Sequence, residues 1–198
     1  SAMLLSLQTF VVVENQNLGK STSQRRSILC TILSIKLSMT PFRIGFGYDV
    51  HQLKEGYEFW LGGIKVDHVK GAVGHSDADV LIHVICDALL GAANMRNIGY
   101  HFSDKDPKYK GIDSKLLLKE VMKMIREAGY EVGNLDSTVC LQVPKLNPHI
   151  PSMKTCLAEV MNVPEDAISI KATTSEWLGF VGREEGISAY CTALIYKV

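Results

Sequence analysis

The stretch "FRIGFGYDVHQL", Phe42–Leu53, decides how the chain is read. Ile44, Phe46, Tyr48 and Val50 alternate with smaller or polar residues, the period-two pattern of a strand. In a strand, side chains i and i+2 lie on one face. Asp49 and His51 therefore point together, away from Tyr48 and Val50. A carboxylate beside an imidazole is half of a metal site. It is equally a salt-bridged or solvated strand end. A third ligand would decide between the two.

The chain has 198 residues, 46% hydrophobic and 21% charged, which suits one soluble domain with a full core. Lys plus Arg equals Asp plus Glu, 21 against 21, so no basic excess points to nucleic acid. Any anionic ligand must be held by local groups. Five cysteines, Cys30, Cys86, Cys140, Cys156 and Cys191, show no CxxC spacing and read as free thiols in a reducing compartment. No apolar stretch is long enough to span a membrane.

Residues 1–40 differ from the rest. "SAM" resembles the scar of a cleaved tag. The Ser-, Thr-, Leu- and Ile-rich run that follows has Glu14 as its one acid, against Lys20, Arg25, Arg26 and Lys36. It reads as a transit peptide, or as translated upstream sequence with Met39 as the start; the second reading is preferred, because Met39 just precedes the first strand. The expected division is an extension, 1–40, and a single domain, 41–198.

From Pro41 onward, strands and helices alternate. "EFWLGGIKV" reads as two short strands around a Gly-Gly turn. "SDADVLIHVICDALLGAA" reads as a helix with Ser76 as N-cap and Asp79 in a capping-box-like position. "DSKLLLKEVMKMIREAGY" is an amphipathic helix stopped near Gly129. "VGNLDSTVCLQV" is a strand ending at Pro144, and "PHIPSMKTCLAEVMNV" is a third helix. "AISIKATT" and "ISAYCTALIYKV" are strands, separated by the Gly-punctuated loop "SEWLGFVGREEG". This is α/β order, with antiparallel pairing allowed by the short connections.

His83 falls outside the apolar arc of the first helix, on the side of Asp87. Alone it reads as a helix-edge histidine bonded to Asp87. "GHSDAD" puts His75 and Ser76 at the helix mouth, where free N–H groups favour an anion. Two imidazoles, a carboxylate and an open fourth position describe a catalytic zinc rather than a structural one.

The motifs "GYDVH", "GHSDADVLIHVICDALLGA", "IGYHFSDKDP" and "KATTSEWLGFVGREEGISA" resemble those of the 2-C-methyl-D-erythritol 2,4-cyclodiphosphate synthases of the non-mevalonate isoprenoid pathway. The resemblance covers nearly all of 43–198. It implies a cyclising, CMP-releasing phosphorus–oxygen lyase, in which the 2-phosphate of the cytidine diphosphate substrate attacks its own β-phosphorus. It implies zinc on Asp49, His51 and His83, and magnesium (or manganese) on Glu176. His75 and Thr174 take transition-state-stabilising roles. Substrate contacts fall on Asp49, His51, His75, Ser76, Asn97, Ile98, Gly99, Phe102, Asp104, Asp106, Pro144, Lys145, Leu146, Thr173, Thr174, Glu176, Phe180 and Arg183. By residue chemistry alone, the acidic loop would be solvated, the prolines rigid turns, and Thr173 and Thr174 ordinary strand-end residues.

The resemblance further implies a ferredoxin-like α+β fold: a mixed sheet with helices on one face. Three copies form a homotrimer with sheets around the threefold axis, sites between subunits, and an isoprenoid diphosphate in the axial cavity. Nucleic acid and membrane are not implied. The compartment is the cytoplasm, or a plastid-like organelle if residues 3–40 are a transit peptide. Asn97 replaces a usual Asp, Tyr190 a Glu that pairs with the arginine at 183, and Trp177 a frequent Lys. The rival readings are a zinc-dependent phosphohydrolase and a trimeric isoprenoid-diphosphate-binding module.

Overall fold

The large side chains of β1 (Phe42–Glu55) face away from the helices: Phe42, Ile44, Phe46, Tyr48 and Val50 are exposed while Gly45 and Gly47 are buried. The cause is the helix α1 (Val80–Ala92), which lies directly on the glycine face. A Cβ on Gly45 would stand 1.9 Å from the Ala88 carbonyl oxygen, and one on Gly47 2.1 Å from that of Val84. Only residues without a Cβ allow this approach. The chain is described from a computed structural model that covers residues 41–103 and 106–198. The expectations for 1–40 and for Asp104 lie outside the described residues.

The main sheet has the order β4-β1-β7-β5-β6, with β4 (Lys70–Val73), β5 (Tyr130–Cys140), β6 (Ile168–Thr173) and β7 (Gly186–Lys197). Its pairs are antiparallel except β5 with β6, which run parallel. A parallel pair needs a crossover, supplied here by α3 (Ile150–Met161). The helix α2 (Ser114–Glu127) precedes β5 and packs on it and on α1. Buried residues of the helices and of the strands' inner face form one core cluster, including Leu81, Ile85, Leu118, Leu135, Met153, Ile187 and Ile195.

Several boundaries differ from expectation. The N-cap of α1 is Asp79, not Ser76; its carboxylate accepts from Ile82 N–H. The same buried carboxylate accepts from the N–H groups of Gly62 and Gly63. Those glycines, at φ +61 and +80, form the expected turn between β2 (Trp60–Leu61) and β3 (Ile64–Lys65), which stand apart as a two-stranded sheet. Asp79 thus fastens the hairpin to the helix, a tertiary role that outweighs the local capping box. Strand β4 was not expected, because "KGAV" is short and has no alternation. Strand β5 stops at Cys140, and Leu141 N–H then bonds to Thr173 O. The expected loop "SEWLGFVGREEG" contains a helical turn at Gly179–Gly182, and a second helical turn spans Ile98–His101.

Candidate metal centre and its surroundings

Three ligand atoms converge where β1 meets α1. His83 Nδ1 lies 3.0 Å from Asp49 Oδ2 and 3.0 Å from His51 Nε2, and the last two are 3.4 Å apart. The two imidazoles meet edge to face, with centroids 5.1 Å apart. All three residues are half-buried. Donors about 2.1 Å from a tetrahedral zinc stand about 3.4 Å from one another. The observed triangle therefore has the size of one face of such a tetrahedron. Two imidazoles and a carboxylate are also a donor set that zinc accepts.

The electrostatics favour the ligand forms. Burial pushes the His51 imidazole below its ordinary pKa, overcoming the upward pull of Asp49. His51 thereby stays neutral with a lone pair available. For Asp49, burial acts upward but is outweighed by the His83 hydrogen bond together with the electrostatic pull of both imidazoles and the Val50 N–H. Its carboxyl lies below the ordinary value and is ionised.

His83 owes its position to composition. Ten of the thirteen residues of α1 are buried, so His83 and Asp87 stand out as the polar stripe. Asp87 does not hold His83, as the bland reading had it. It accepts the N–H of Ile98 at 2.7 Å and anchors the helical turn 98–101. Burial raises the Asp87 carboxyl above its ordinary value. Loop 74–79 passes close over the triad, since a Cβ on Gly74 would come 3.7 Å from His51 Nε2. His75 is exposed on this loop, and its carbonyl accepts from Gly111 N–H. Ser76 Oγ lies 3.0 Å from His83 Nε2.

The other candidate residues fall into two places. Asn97 and Gly99 are exposed and Ile98 and Phe102 half-buried around the 98–101 turn, with the Phe102 ring edge-on to Tyr109 at 5.5 Å. Asp106 accepts from Lys108 N–H and pairs with its Nζ at 3.3 Å. The remaining residues lie at the far side of the sheet. Thr174 Oγ1 donates to Glu176 Oε1 at 2.8 Å. Glu176 and Trp177 have φ +52 and +64, a left-handed pair that non-glycine residues seldom adopt. Trp177 N–H reaches Gln142 Oε1, linking this loop to Pro144 and Lys145. Leu146 is 4% exposed and packs in the core, so it offers a ligand its backbone only. Phe180 lies over Gly186, and Arg183 forms a two-point pair with Glu185.

Register separates the two groups. Val50, Ser188, Cys140 and Thr173 occupy one row across β1, β7, β5 and β6. Three strand spacings make about 14 Å. Among the described residues, no hydrogen bond or ion pair that is seen joins Thr173–Glu176 to the triad. Sequence reasoning missed Asp77 and Ser114, which stand behind His83. Ser114 lies 31 residues from it with no shared pattern to betray the contact.

A mixed sheet covered by helices on one face, with a two-histidine, one-carboxylate cluster at its strand–helix junction, defines an α+β domain with a candidate cation site. Residues 42–196 match the YgbB family. The 2-C-methyl-D-erythritol 2,4-cyclodiphosphate synthase of Parabacteroides distasonis is 68% identical over 156 residues, covering 79% of this chain and 97% of its own. That of Porphyromonas gingivalis is 65% identical over 78% of this chain and 96% of its own. Among solved structures, a CDP complex of Plasmodium falciparum IspF superposes with TM-score 0.71 at 33% identity, over 81% of this chain and 99% of that one. The chain belongs to the YgbB family, that of the 2-C-methyl-D-erythritol 2,4-cyclodiphosphate synthases.

Proposed function

We propose that the chain converts 4-diphosphocytidyl-2-C-methyl-D-erythritol 2-phosphate to the 2,4-cyclodiphosphate with release of CMP. The observation that carries this is the Asp49–His51–His83 triangle, sized for a cation, in a chain 68% identical to a protein of that name. The residue roles are those the family resemblance implies.

Asp49, His51 and His83 would hold zinc, and Glu176 would hold magnesium or manganese. When bound, these ions supply Lewis-acid polarisation and neutralise crowded phosphate charge. The chain does the positioning. Ser76, 3.0 Å from His83 Nε2, and His75 beside it face the phosphates at the triad. Thr174, whose hydroxyl donates to Glu176 here, would turn it to donate to an oxygen of the phosphoryl group being attacked. No covalent enzyme nucleophile is needed, so alignment and charge stabilisation carry the rate. Asn97 to Gly99, Phe102, Asp104 and Asp106 take the sugar side. Pro144, Lys145, the Leu146 backbone and Thr173 take the nucleotide. Asn97 keeps an acceptor oxygen for the ribose but no charge.

The two groups belong to different copies. A separation of about 14 Å within one sheet is too great for both to grip one phosphate pair. The exposed face of β1 and β7 carries Ile44, Phe46, Tyr48, Val50 and Tyr190, an apolar surface on a soluble-type chain. Three such faces around a threefold axis bury it and bring the Thr174 loop of one copy to the triad of the next. This is the ferredoxin-like homotrimer. Tyr190, 5.1 Å from Tyr48, makes the axial cavity more apolar, suited to an isoprenoid diphosphate. Arg183 meets Glu185 rather than an axial acid. The working domain is 41–198, in a cytoplasmic enzyme; no described helix is long and apolar enough to cross a membrane.

Mass spectrometry of the reaction with the cytidine diphosphate substrate tests this. Equal amounts of CMP and cyclic diphosphate are expected. Inorganic phosphate without the cyclic product would make the chain a phosphohydrolase, and binding without turnover a carrier.

A further inference from the structure

The Nε2 side of His83 points away from the triad, towards Ser76 Oγ at 3.0 Å and Ser114 Oγ at 3.1 Å. Ser114 is fully buried at the start of α2. Its hydroxyl donates to Asp77 Oδ1 at 2.5 Å, and its N–H donates to Asp77 Oδ2 at 3.0 Å. A serine hydroxyl has one proton, and an ionised carboxylate only accepts. The proton of Ser114 is therefore committed to Asp77, and its oxygen is left to accept.

That commitment bears on which ring nitrogen of His83 is free for a cation. With the hydrogen on Nδ1, His83 donates to Asp49 Oδ2 at 3.0 Å, while Nε2 meets a lone pair of Ser114 Oγ at 3.1 Å and accepts from Ser76 Oγ at 3.0 Å. With a cation in place of the Nδ1 hydrogen, the ring hydrogen stands on Nε2 and is donated to Ser114 Oγ, and Nδ1 presents its lone pair to the point between Asp49 and His51. We infer that Asp77 and Ser114 are a positioning pair that sets the tautomer and ring orientation of His83 for a divalent cation. This rests on the metal reading of the triad.

The loop around Asp77 is also latched through its backbone. Asp77 N–H donates to Ile112 O at 3.1 Å, and Gly111 N–H donates to His75 O at 2.7 Å. Asp77 also accepts from Asp79 N–H at 3.3 Å. Loop 74–79 is thereby stitched to 111–114, the end of the segment that carries Phe102 and Asp106. Asp77 thus joins the orientation of a cation ligand to the placement of the substrate rim.

The test compares wild type with Ser114→Ala and Asp77→Asn. Two quantities are read: zinc affinity by competition with a chelator, and solvent exchange of the His83 Nε2–H in zinc-loaded protein by ¹⁵N spectroscopy. In wild type that hydrogen should be held by Ser114 and exchange slowly. Both variants should exchange it faster and bind zinc about 10- to 100-fold more weakly, the usual cost of removing a ligand's outer partner. An unchanged exchange rate, or zinc affinity within about twofold of wild type, would overturn the positioning pair. Asp77→Asn carries the same readouts if Ser114→Ala does not fold. A wild-type chain that binds no zinc would sink the metal reading itself, and with it a pair that positions a zinc ligand.

Discussion

His83 Nδ1 and Asp49 Oδ2 lie 3.0 Å apart across 34 residues of chain, one on α1 and the other on β1. The contact exists because two glycines let the helix backbone settle on the strand. It also places three donors around one point, and two donors alone hold a catalytic cation poorly. His83→Ala should therefore abolish tight zinc binding and lower cyclase turnover at least ~100-fold. Alanine favours the helix more than histidine does, so the fold should persist. Elemental analysis after dialysis, paired with circular dichroism, checks this. Full zinc occupancy in the variant would end the assignment.

Glu176→Gln should leave zinc in place and raise the magnesium concentration needed for half-maximal turnover. The amide oxygen can still accept from Thr174 Oγ1, so the left-handed loop at 176–177 keeps its internal bond. What is lost is the charge that a hard divalent cation prefers. Magnesium titrations of the two proteins decide it, and coincident curves would remove Glu176 from the metal role.

The triad was legible because period two in β1 and period 3.6 in α1 each expose one face, and both patterns were strong. The N-cap was misread because Ser76 and Asp79 both fit local capping rules. Only the hairpin glycines, some sixteen residues upstream of Asp79, decide between them. Asp77 and Ser114 were invisible because their partner is a fold neighbour and not a sequence neighbour. The alternation in "FRIGFGYDVHQL" was plain. The outward turn of its large side chains follows from the close approach of α1, which a strand pattern does not encode.

Gly47→Ala should damage the site from beneath. The new Cβ would lie 2.1 Å from Val84 O and 3.0 Å from Ala88 N, both backbone atoms that no rotamer change can move. Helix α1 must lift, and His83 moves with it. A stability loss of about 1–3 kcal/mol or more is expected, as for other overpacked cores. Weaker zinc binding should accompany it. Denaturant unfolding of the metal-free proteins, followed by zinc titration, separates the two effects. A variant with unchanged stability would show that the strand and helix have more slack than the structure allows.

Alkaline pH should destabilise the fold through its buried thiols. Cys86 and Cys191 are free and buried, Cys86 on α1 and Cys191 on β7. Burial pushes the Cys191 thiol up to about 11 from 9.0, although Ser137 pulls it partly back, and burial raises Cys86 well above its ordinary value. An unfolded chain releases these protons at lower pH than the folded one. Their contribution to stability is thus complete below pH 9.0 and declines as pH rises towards 11. Cys191 alone should account for roughly 2–3 kcal/mol across that window. Urea unfolding between pH 8 and 10.5 should show the decline, and replacing both thiols by alanine should flatten it, whatever the variant's stability at pH 8. Alkylation gives a second reading, since at pH 8 only about one in a thousand Cys191 thiols would be ionised. The half-buried Cys156, although burial raises its thiol too, should therefore be modified before Cys191 in folded protein. Labelling of Cys191 as fast as Cys156 at pH 8, or a slope unaffected by the double substitution, would refute the buried-thiol account.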